Sequence, residues 1–364
     1  MWKKILLGLG ALIGALILSG LAATAWFISL LDPEIDIGKL KASRPHDVAY
    51  IHNANTPPRG KILAVVTSTA QMGEKKKKTG YELSELARAY YVFQANGFEV
   101  DIASPLGGKA PAVLDDDDMA EFDYAFLNDD KATKKTTQTI PLSEVNADHY
   151  QAIYFVGGKG AMFDFPNNPD IQKLVMDFHQ KNKTIIAVCH GPAALTQVKL
   201  PDGSAFIQQK RISAFTNQEE LFLIPKAKEL FPFLLEDELR KQGAIVEIGP
   251  RYLQQISHHD NLITGQNPWS VWKMAEASIQ QLGFQPIPRK KTSEEISVDI
   301  LVHYEKHGYE ETKIYLQEFS GTTIKRDLIA MHALVAAMSY QPAKVIDLLG
   351  LLRAAKALAG DQAS

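Results

Sequence analysis

The 364-residue chain contains a single cysteine, Cys189. One thiol cannot form an intramolecular disulfide, and it cannot supply a metal site built from several cysteines. The charge is nearly balanced, with 39 Lys and Arg against 42 Asp and Glu, and no basic stripe alternates with aromatic residues. This composition argues against nucleic acid as a partner and leaves small molecules, proteins and lipid.

Apolar sequence is plentiful, at 46% of the residues, together with 24 glycines and 18 prolines. These proportions are typical of globular proteins with a large core. At roughly 150 residues per domain, the length predicts about two domains, or one large domain with extensions.

The N-terminal segment Ile5–Leu31 contains no charged side chain, and Lys3 and Lys4 precede it. As a helix it would span roughly 40 Å, more than the ~30 Å hydrocarbon core of a bilayer. We therefore predict that residues 1–35 form a membrane anchor; the small residues Ala23–Ala25 leave a cleaved signal segment as the alternative. The lysines would stay in the cytoplasm, which predicts a single-pass membrane protein with its main domain on the extracytoplasmic side, or a secreted protein after cleavage.

Short apolar runs alternate with segments of helical spacing after residue 60. The runs predict strands at Lys61–Ser68, Phe98–Ser104, Gln151–Val156, Thr184–Val188, Arg211–Phe215 and Ala244–Ile248. The helical spacing predicts helices at Tyr81–Ala95, Asp170–Lys181, Pro192–Val198 and Trp269–Leu282. Because continuously apolar strands that alternate with helices form sheets covered on both faces, we predict an α/β fold with a doubly wound, mostly parallel sheet.

Changes in this pattern predict the domain boundaries. Residues 36–60 are a linker, residues 61–285 the α/β domain, and residues 286–364 a helical extension with its clearest helices at Asp327–Tyr340 and Ala343–Leu358. We expect the extension to pack on the core or on a second copy, which would give a homodimer, with contact to a membrane surface as the alternative.

A polar segment at Lys109–His149 interrupts the alternation of strands and helices. It includes the acidic run Asp115–Asp118, whose spacing is not that of a calcium-binding loop. We interpret the segment as a long surface insertion or lid.

The one cysteine stands directly after the buried run Thr184–Val188 and before His190-Gly191-Pro192. A strand that leads into a reactive residue, a small residue and a helix is the sequence form of a nucleophile elbow. Such a turn would lift the sulfur above the carboxyl edge of the sheet, and the following helix would lower the pKa of the thiol. The alternative is an inert, buried cysteine that packs as a small hydrophobic side chain.

The sequence Cys189-His190-Gly191-Pro192 after a hydrophobic strand resembles the ThiJ/PfpI superfamily, of the class I glutamine amidotransferase-like fold. Further stretches resemble its heat-shock chaperone and glyoxalase III branch, in order and over about residues 60–285. They are TGYELSELA at Thr79–Ala87, ASPLGG at Ala103–Gly108, VGGKGAMFDFP at Val156–Pro166, AFTNQEE at Ala214–Glu220 and LITGQNP at Leu262–Pro268. The resemblance implies a flavodoxin-like sheet.

The resemblance makes Cys189 the nucleophile and Glu85 the acidic residue that contacts its thiol. Glu82, the other acid in that motif, is the alternative. His190 matches the family's histidine, which a carboxylate would orient so that it can hold the thiolate and exchange protons.

Glu220 is the best match for the acid that orients this histidine, and Glu219 is the alternative. The pair of acids could also simply favour the N-terminus of a helix through its dipole.

A glycine-rich turn supplies the expected oxyanion or substrate contacts, through Gly157, Gly158, Lys159 and Gly191. The chain has Gly-Gly-Lys-Gly where many relatives have Gly-Gly-His-Gly, so Lys159 would either bind an anionic group of the substrate or lie exposed. No cluster of metal-binding histidines accompanies Glu85. We therefore predict no required metal and no cofactor.

By resemblance, the function is that of a glutathione-independent glyoxalase III-like hydro-lyase acting on methylglyoxal and similar 2-oxoaldehydes. The thiolate would add to the aldehyde carbon, Glu85 would move a proton between adjacent carbons, and water would release a 2-hydroxy acid. A protein deglycase with the same nucleophile is a related alternative, and a stress-related holdase chaperone is the second class. A cysteine peptidase or a glutamine amidotransferase-like protein is less favoured. The amidotransferase activity is disfavoured because Cys189 is followed by His190 and paired with Glu85, and because no synthase domain is present to receive ammonia.

Overall fold

The computed structural model describes residues 18–33, 37–52, 56–114 and 119–360. By its internal contacts the chain divides into two units, one of residues 1–35 with 291–364 and the other of Asp36–Lys290. The domain boundaries expected from the sequence stay predictions.

The strands of the described residues lie in the second unit. They are β1 (Gly60–Val65), β2 (Gln71–Met72), β3 (Lys77–Lys78), β4 (Tyr81–Glu82), β5 (Phe98–Ser104), β6 (Ala112–Val113), β7 (Ile140–Pro141), β8 (Ala152–Phe155), β9 (Thr184–Val188), β10 (Arg211–Ile212), β11 (Ile245–Val246), β12 (Ile256–His259) and β13 (Leu262–Gly265).

The helices occur in both units. They are α1 (described over residues 18–30), α2 (Ile37–Lys41), α3 (Ala49–His52), α4 (Leu83–Ala95), α5 (Glu121–Leu127), α6 (Asp130–Thr137), α7 (Ala161–Asp164), α8 (Pro169–Gln180), α9 (Asn217–Leu223), α10 (Ala227–Leu230), α11 (Leu235–Lys241), α12 (Val271–Gln281), α13 (Ser293–Tyr315), α14 (Arg326–Met338) and α15 (Pro342–Gly360).

Seven strands form the central sheet, in the order β12-β13-β9-β8-β1-β5-β7. Every pairing in it is parallel except that of β12 with β13. The strands β8 and β9 are buried along their whole length, as their continuously apolar sequence predicts. The predicted α/β fold with a mostly parallel sheet is therefore confirmed.

The chain reverses direction across the sheet at β1, which pairs with β5 on one side and with β8 on the other. In open α/β sheets such a reversal leaves a crevice at the carboxyl ends of the strands, where ligands bind. The segments that follow β8 and β9 therefore lie beside this crevice.

The segment interpreted as a surface insertion contains the helices α5 and α6, and this interpretation is wrong for α5. Phe122 and Phe126 of α5 are buried. The ring of Phe126 lies 5.1 Å from that of Tyr90 on α4, and the ring of Phe122 lies 4.6 Å from that of Trp272 on α12. Aromatic packing therefore places α5 in the core, whereas residues 115–118 lie outside the described residues.

The unit of residues 1–35 and 291–364 includes the segment predicted to be a membrane anchor. Asp32, just after α1, accepts a hydrogen bond from Nε of Arg326 at 3.0 Å, and Nη1 of Arg326 donates to the carbonyl of Leu30 at 3.0 Å. In the described part of the chain, no helix is both long enough and apolar enough to cross a membrane. This finding overturns the predicted single-pass membrane location; residues 1–17 of the predicted anchor lie outside the described residues.

The C-terminal extension is helical, as expected. Its helices α14 and α15 correspond to the two predicted segments Asp327–Tyr340 and Ala343–Leu358. The longer helix α13 is kinked at Gly308, whose φ of 76° lies in the left-handed region that glycine adopts without strain.

Candidate active site

Cys189 begins a strained turn at the carboxyl end of β9. Its φ is 56°, a left-handed conformation that a residue with a side chain rarely adopts. The turn is held from both sides, because the N–H of Cys189 donates to the carbonyl of Gly265 and the N–H of Phe215 donates to the carbonyl of Cys189, each at 2.9 Å. The elbow geometry predicted from the sequence is therefore present.

The segment after the cysteine differs from the prediction. A 3-10 helix of five residues, Gly191–Leu195, stands where an α-helix over Pro192–Val198 is expected. Gly191 packs so closely that an added Cβ would lie 2.2 Å from the carbonyl oxygen of Phe155. A helix this short has only a small dipole with which to stabilise an anion.

The thiol is buried, with Cys189 only 5% exposed. Burial raises its pKa well above the usual value, and the carboxyl group of Glu85, which accepts a hydrogen bond from the thiol, raises it further. The expectation that the following helix lowers the pKa of the thiol is therefore wrong. Both effects favour the protonated form of the thiol.

Glu85 reaches the thiol from the first turn of α4 and is fully buried. Its Oε2 accepts the N–H of Gly157 at 2.8 Å, and its main-chain carbonyl accepts the hydroxyl of Tyr154 at 2.8 Å. Burial raises the pKa of Tyr154, so the phenol remains a donor. The carboxyl group that hydrogen-bonds to the thiol is that of Glu85. Glu82, the alternative from the sequence, is the N-cap residue of α4 and acts on the thiol only through its charge.

His190 lies between the thiol and a second carboxylate. Its Nδ1 is 3.3 Å from Sγ of Cys189, and its Nε2 is 2.6 Å from Oε2 of Glu220. The contact of Nε2 with the carboxylate orients the ring so that Nδ1 faces the thiol. The ring of Phe215 packs 4.8 Å from the imidazole. Glu220, rather than the alternative Glu219, therefore contacts this histidine.

The glycine turn after β8 fits closely against these groups. A Cβ on Gly157 would lie 2.4 Å from Oε2 of Glu85 and 2.8 Å from Cβ of Cys189. Gly158 has a φ of 99°, and a Cβ there would lie 2.5 Å from the carbonyl oxygen of Gly80. Lys159, which follows, is half-buried. The structure thus brings the turn, the cysteine and Glu85 together.

Tyr154 is a site residue that the sequence reasoning missed. The only signal was a tyrosine within the apolar strand β8, and buried phenols usually find a hydrogen-bond partner. Among the described residues, no three His, Cys, Asp or Glu side chains gather as a metal-ion site would require.

Comparison with known proteins identifies the family. Residues 77–210 match the DJ-1/PfpI family. Over 242 residues the chain is 33% identical to the glutathione-independent glyoxalase HSP31 of Saccharomyces cerevisiae, and the match covers 98% of that protein and 62% of this chain. The chain belongs to the DJ-1/PfpI family. The resemblance predicted from its motifs is confirmed.

A further relative and two solved structures are similar over about the same share of the chain. Glyoxalase 3 of Candida albicans is 27% identical, with 59% of this chain and 94% of that protein covered. The crystal structure of glyoxalase III from the same organism has a TM-score of 0.56 at 26% identity and covers 61% of this chain and 97% of its own. The Rapid Encystment Protein 24 KDa of Francisella tularensis has a TM-score of 0.58 at 37% identity, covering 61% and 99%.

Proposed function

We propose that this protein is a glutathione-independent glyoxalase that converts 2-oxoaldehydes such as methylglyoxal to 2-hydroxy acids. The observation that carries the proposal is a thiol held between a carboxyl group and an imidazole, with Glu85 on one side of Cys189 and His190 on the other. The names of the relatives from Saccharomyces cerevisiae and Candida albicans support the same activity.

The first step is addition of the thiol to the aldehyde. As the sulfur of Cys189 bonds to the aldehyde carbon, the S–H turns from Glu85 towards His190 and its proton passes to Nδ1, and the imidazolium that forms is stabilised by Glu220. The imidazolium then gives this proton to the aldehyde oxygen, which yields a hemithioacetal and restores the neutral imidazole.

The second step moves hydrogen within the substrate. The carboxylate of Glu85 takes the proton from the former aldehyde carbon and returns it to the neighbouring carbon, while the hydroxyl proton of the hemithioacetal passes to the ketone oxygen. The ketone thereby becomes an alcohol and the hemithioacetal becomes a thioester. Water then releases the 2-hydroxy acid and restores the thiol. The first carbon is oxidised and the second reduced, so the sequence of steps balances without an external oxidant or reductant.

The glycine turn and the residues after the cysteine would stabilise the negative oxygen that forms in these steps. The N–H of Gly157 already donates to Glu85, so it positions that carboxylate. The N–H groups of Gly158 and Gly191 are the remaining candidates for the oxyanion. Lys159 would contact an anionic or strongly polar substrate group.

The catalytic machinery would reside in residues 61–285, with residues 286–364 as a helical extension. The unit Asp36–Lys290 contains all the proposed site residues, which supports this division. The homodimer stays a prediction.

The test is an assay of the purified full chain with methylglyoxal and no added thiol, with lactate measured as the product. We expect turnover by the wild type, none by Cys189→Ala, and about a 100-fold or greater loss with Glu85→Gln, because a positioned general base contributes about 10²–10⁴-fold. Glu82→Gln is the matched control and should keep most of the activity. Lactate formation by Cys189→Ala at the wild-type rate would refute the proposal.

A further inference from the structure

Glu219 is a fully buried carboxylate beside the site that does not touch His190. It is the third residue of α9, and its Oε2 accepts hydrogen bonds from the N–H of Thr216 at 3.0 Å and from the hydroxyl of Thr216 at 2.9 Å. The N–H of Glu219 donates back to that hydroxyl at 3.2 Å. This capping box fixes the first turn of α9, which carries Glu220 as the next residue.

The other oxygen of the same carboxylate binds a distant part of the chain. Oε1 of Glu219 accepts the N–H of Tyr252 at 2.9 Å, Nε2 of Gln266 at 3.0 Å and Nδ2 of Asn267 at 2.8 Å. The hydroxyl of Tyr252 also donates to the carbonyl of Glu219 at 3.0 Å. Five donors therefore converge on one buried carboxylate, and three of them come from outside its own helix.

These hydrogen bonds close a ring around the nucleophile. The carbonyl of Gly265, which receives the N–H of Cys189, immediately precedes Gln266–Asn267. Phe215, which donates to the carbonyl of Cys189, immediately precedes the N-cap residue of α9. The two segments that hold Cys189 at its φ of 56° are thus joined to each other through Glu219.

We propose that Glu219 is a positioning residue, which holds Cys189 in its strained turn and presents Glu220 to His190 by joining α9 to the segment after β13. This inference rests on the proposed role of Cys189 as the nucleophile. It also gives a physical role to two sequence motifs, AFTNQEE and LITGQNP, whose polar residues do not touch the thiol.

Only a carboxylate of this length fits the arrangement. A glutamine has the same shape, but its NH₂ group cannot accept a hydrogen bond. In either orientation of the amide it would face N–H or O–H donors, those of Thr216 on one side or those of Gln266 and Asn267 on the other. An aspartate keeps the charge but is one methylene shorter, so it cannot cap α9 and reach Gln266–Asn267 together. The two substitutions therefore distinguish a bridging role from a purely electrostatic one.

The test compares Glu219→Gln and Glu219→Asp with a matched control, Glu295→Gln. Glu295 forms the equivalent capping box with Thr292 at the start of α13, through an N–H contact of 2.9 Å to its Oε2. With methylglyoxal, we expect kcat of both Glu219 variants to fall about 10- to 100-fold while KM stays within about threefold, because a displacement of about 1 Å can cost about 10²-fold in rate. The control should keep its kcat.

The reactivity of the thiol provides a readout that does not depend on the aldehyde chemistry. Release of the turn exposes the buried sulfur, so we expect iodoacetamide to alkylate Cys189 at least about fivefold faster in both variants and at the wild-type rate in the control. If the wild type fails to turn over methylglyoxal, the glyoxalase proposal fails, and this alkylation pattern alone decides the positioning role.

Three results would overturn the inference: a wild-type kcat for Glu219→Asp, wild-type alkylation of both variants, or an equal loss of kcat in Glu295→Gln. If the Glu219 variants do not fold, Asn267→Ala removes one donor from Oε1 and should lower kcat by about three- to tenfold. An Asn267→Ala variant that folds and keeps the wild-type kcat would overturn it as well.

Discussion

Burial and the carboxyl group of Glu85 raise the pKa of the Cys189 thiol well above its usual value, which favours the protonated form. Only the thiolate reacts with iodoacetamide. Because the thiolate fraction grows with pH up to the raised pKa, the alkylation rate grows with it. We expect the rate of alkylation by iodoacetamide, followed by mass spectrometry, to keep rising through pH 9. Glu85→Gln removes a negative charge, so it should move the pH profile of alkylation to lower pH. The control is Glu144→Gln, which replaces an exposed carboxylate and should leave the profile unchanged. A wild-type profile that levels off below about pH 8 would contradict this.

Gly157 is one of the glycines at which the site has no room for a side chain. In Gly157→Ala the new methyl group would lie 2.4 Å from Oε2 of Glu85, so either that carboxylate or Cys189 must move. We expect lactate formation from methylglyoxal to fall by about 100-fold or more. Gly203→Ala is the control: its φ of 84° imposes backbone strain, but no atom lies within 4 Å of the added methyl group. Equal losses in the two variants would show that crowding against Glu85 and Cys189 does not explain the effect.

At the scale of the element, helix α4 brings Glu85 to the thiol and is tied to α5 by an ion pair. Nη2 of Arg88 lies 3.4 Å from Oδ2 of Asp123, with side chains 1% and 0% exposed. Arg88→Met would leave the carboxylate buried without this partner, and we expect the free energy of unfolding to fall by about 3–5 kcal/mol in urea denaturation. A loss below about 1 kcal/mol would be inconsistent with a coupled pair.

The double variant provides the control for that ion pair. Asp123→Leu together with Arg88→Met removes both charges, and we expect it to be more stable than Arg88→Met alone. It would still lack the cap that Asp123 forms with the N–H of Ala120 at 2.8 Å, which contributes about 1 kcal/mol. Losses that simply add would show that the two side chains do not interact.

The elements that the sequence predicted well are those with a long, uniform pattern. The strands β5 and β9 have the predicted bounds. Helices α4 and α12 begin two residues later than predicted, and α12 also ends one residue earlier. A two-residue strand such as β7 leaves no periodicity to detect. The raised pKa of the thiol was missed for a different reason: Glu85 lies more than 100 residues earlier in the chain, and its contact with Cys189 exists only in the fold.

For the whole molecule, the contact between the two ends of the chain can be tested directly. Arg326 donates to Asp32 and to the carbonyl of Leu30, and its side chain is 9% exposed. In Arg326→Ala we expect amide hydrogen exchange in residues 18–33 to speed up at least about tenfold, since hydrogen bonds to charged groups contribute about 1.5–3 kcal/mol. Arg353→Ala, at an exposed position of α15, is the control. Unchanged exchange in Arg326→Ala would mean that this contact does not hold the segment.

Because one of the two units combines distant parts of the chain, its parts are synthesised at different times. One unit combines residues 1–35 with residues 291–364, so its first part leaves the ribosome long before its last part exists. At roughly 5–20 residues per second, the wait is on the order of 10–50 s. During that time Ser29, Leu30 and Asp32 lack their partners on α14 and α15, because these helices have not yet been synthesised. The unit Asp36–Lys290, which contains Cys189, is by then complete as a chain. The contacts between the first part and the last part of the other unit therefore form only after the whole of the sheet has been synthesised.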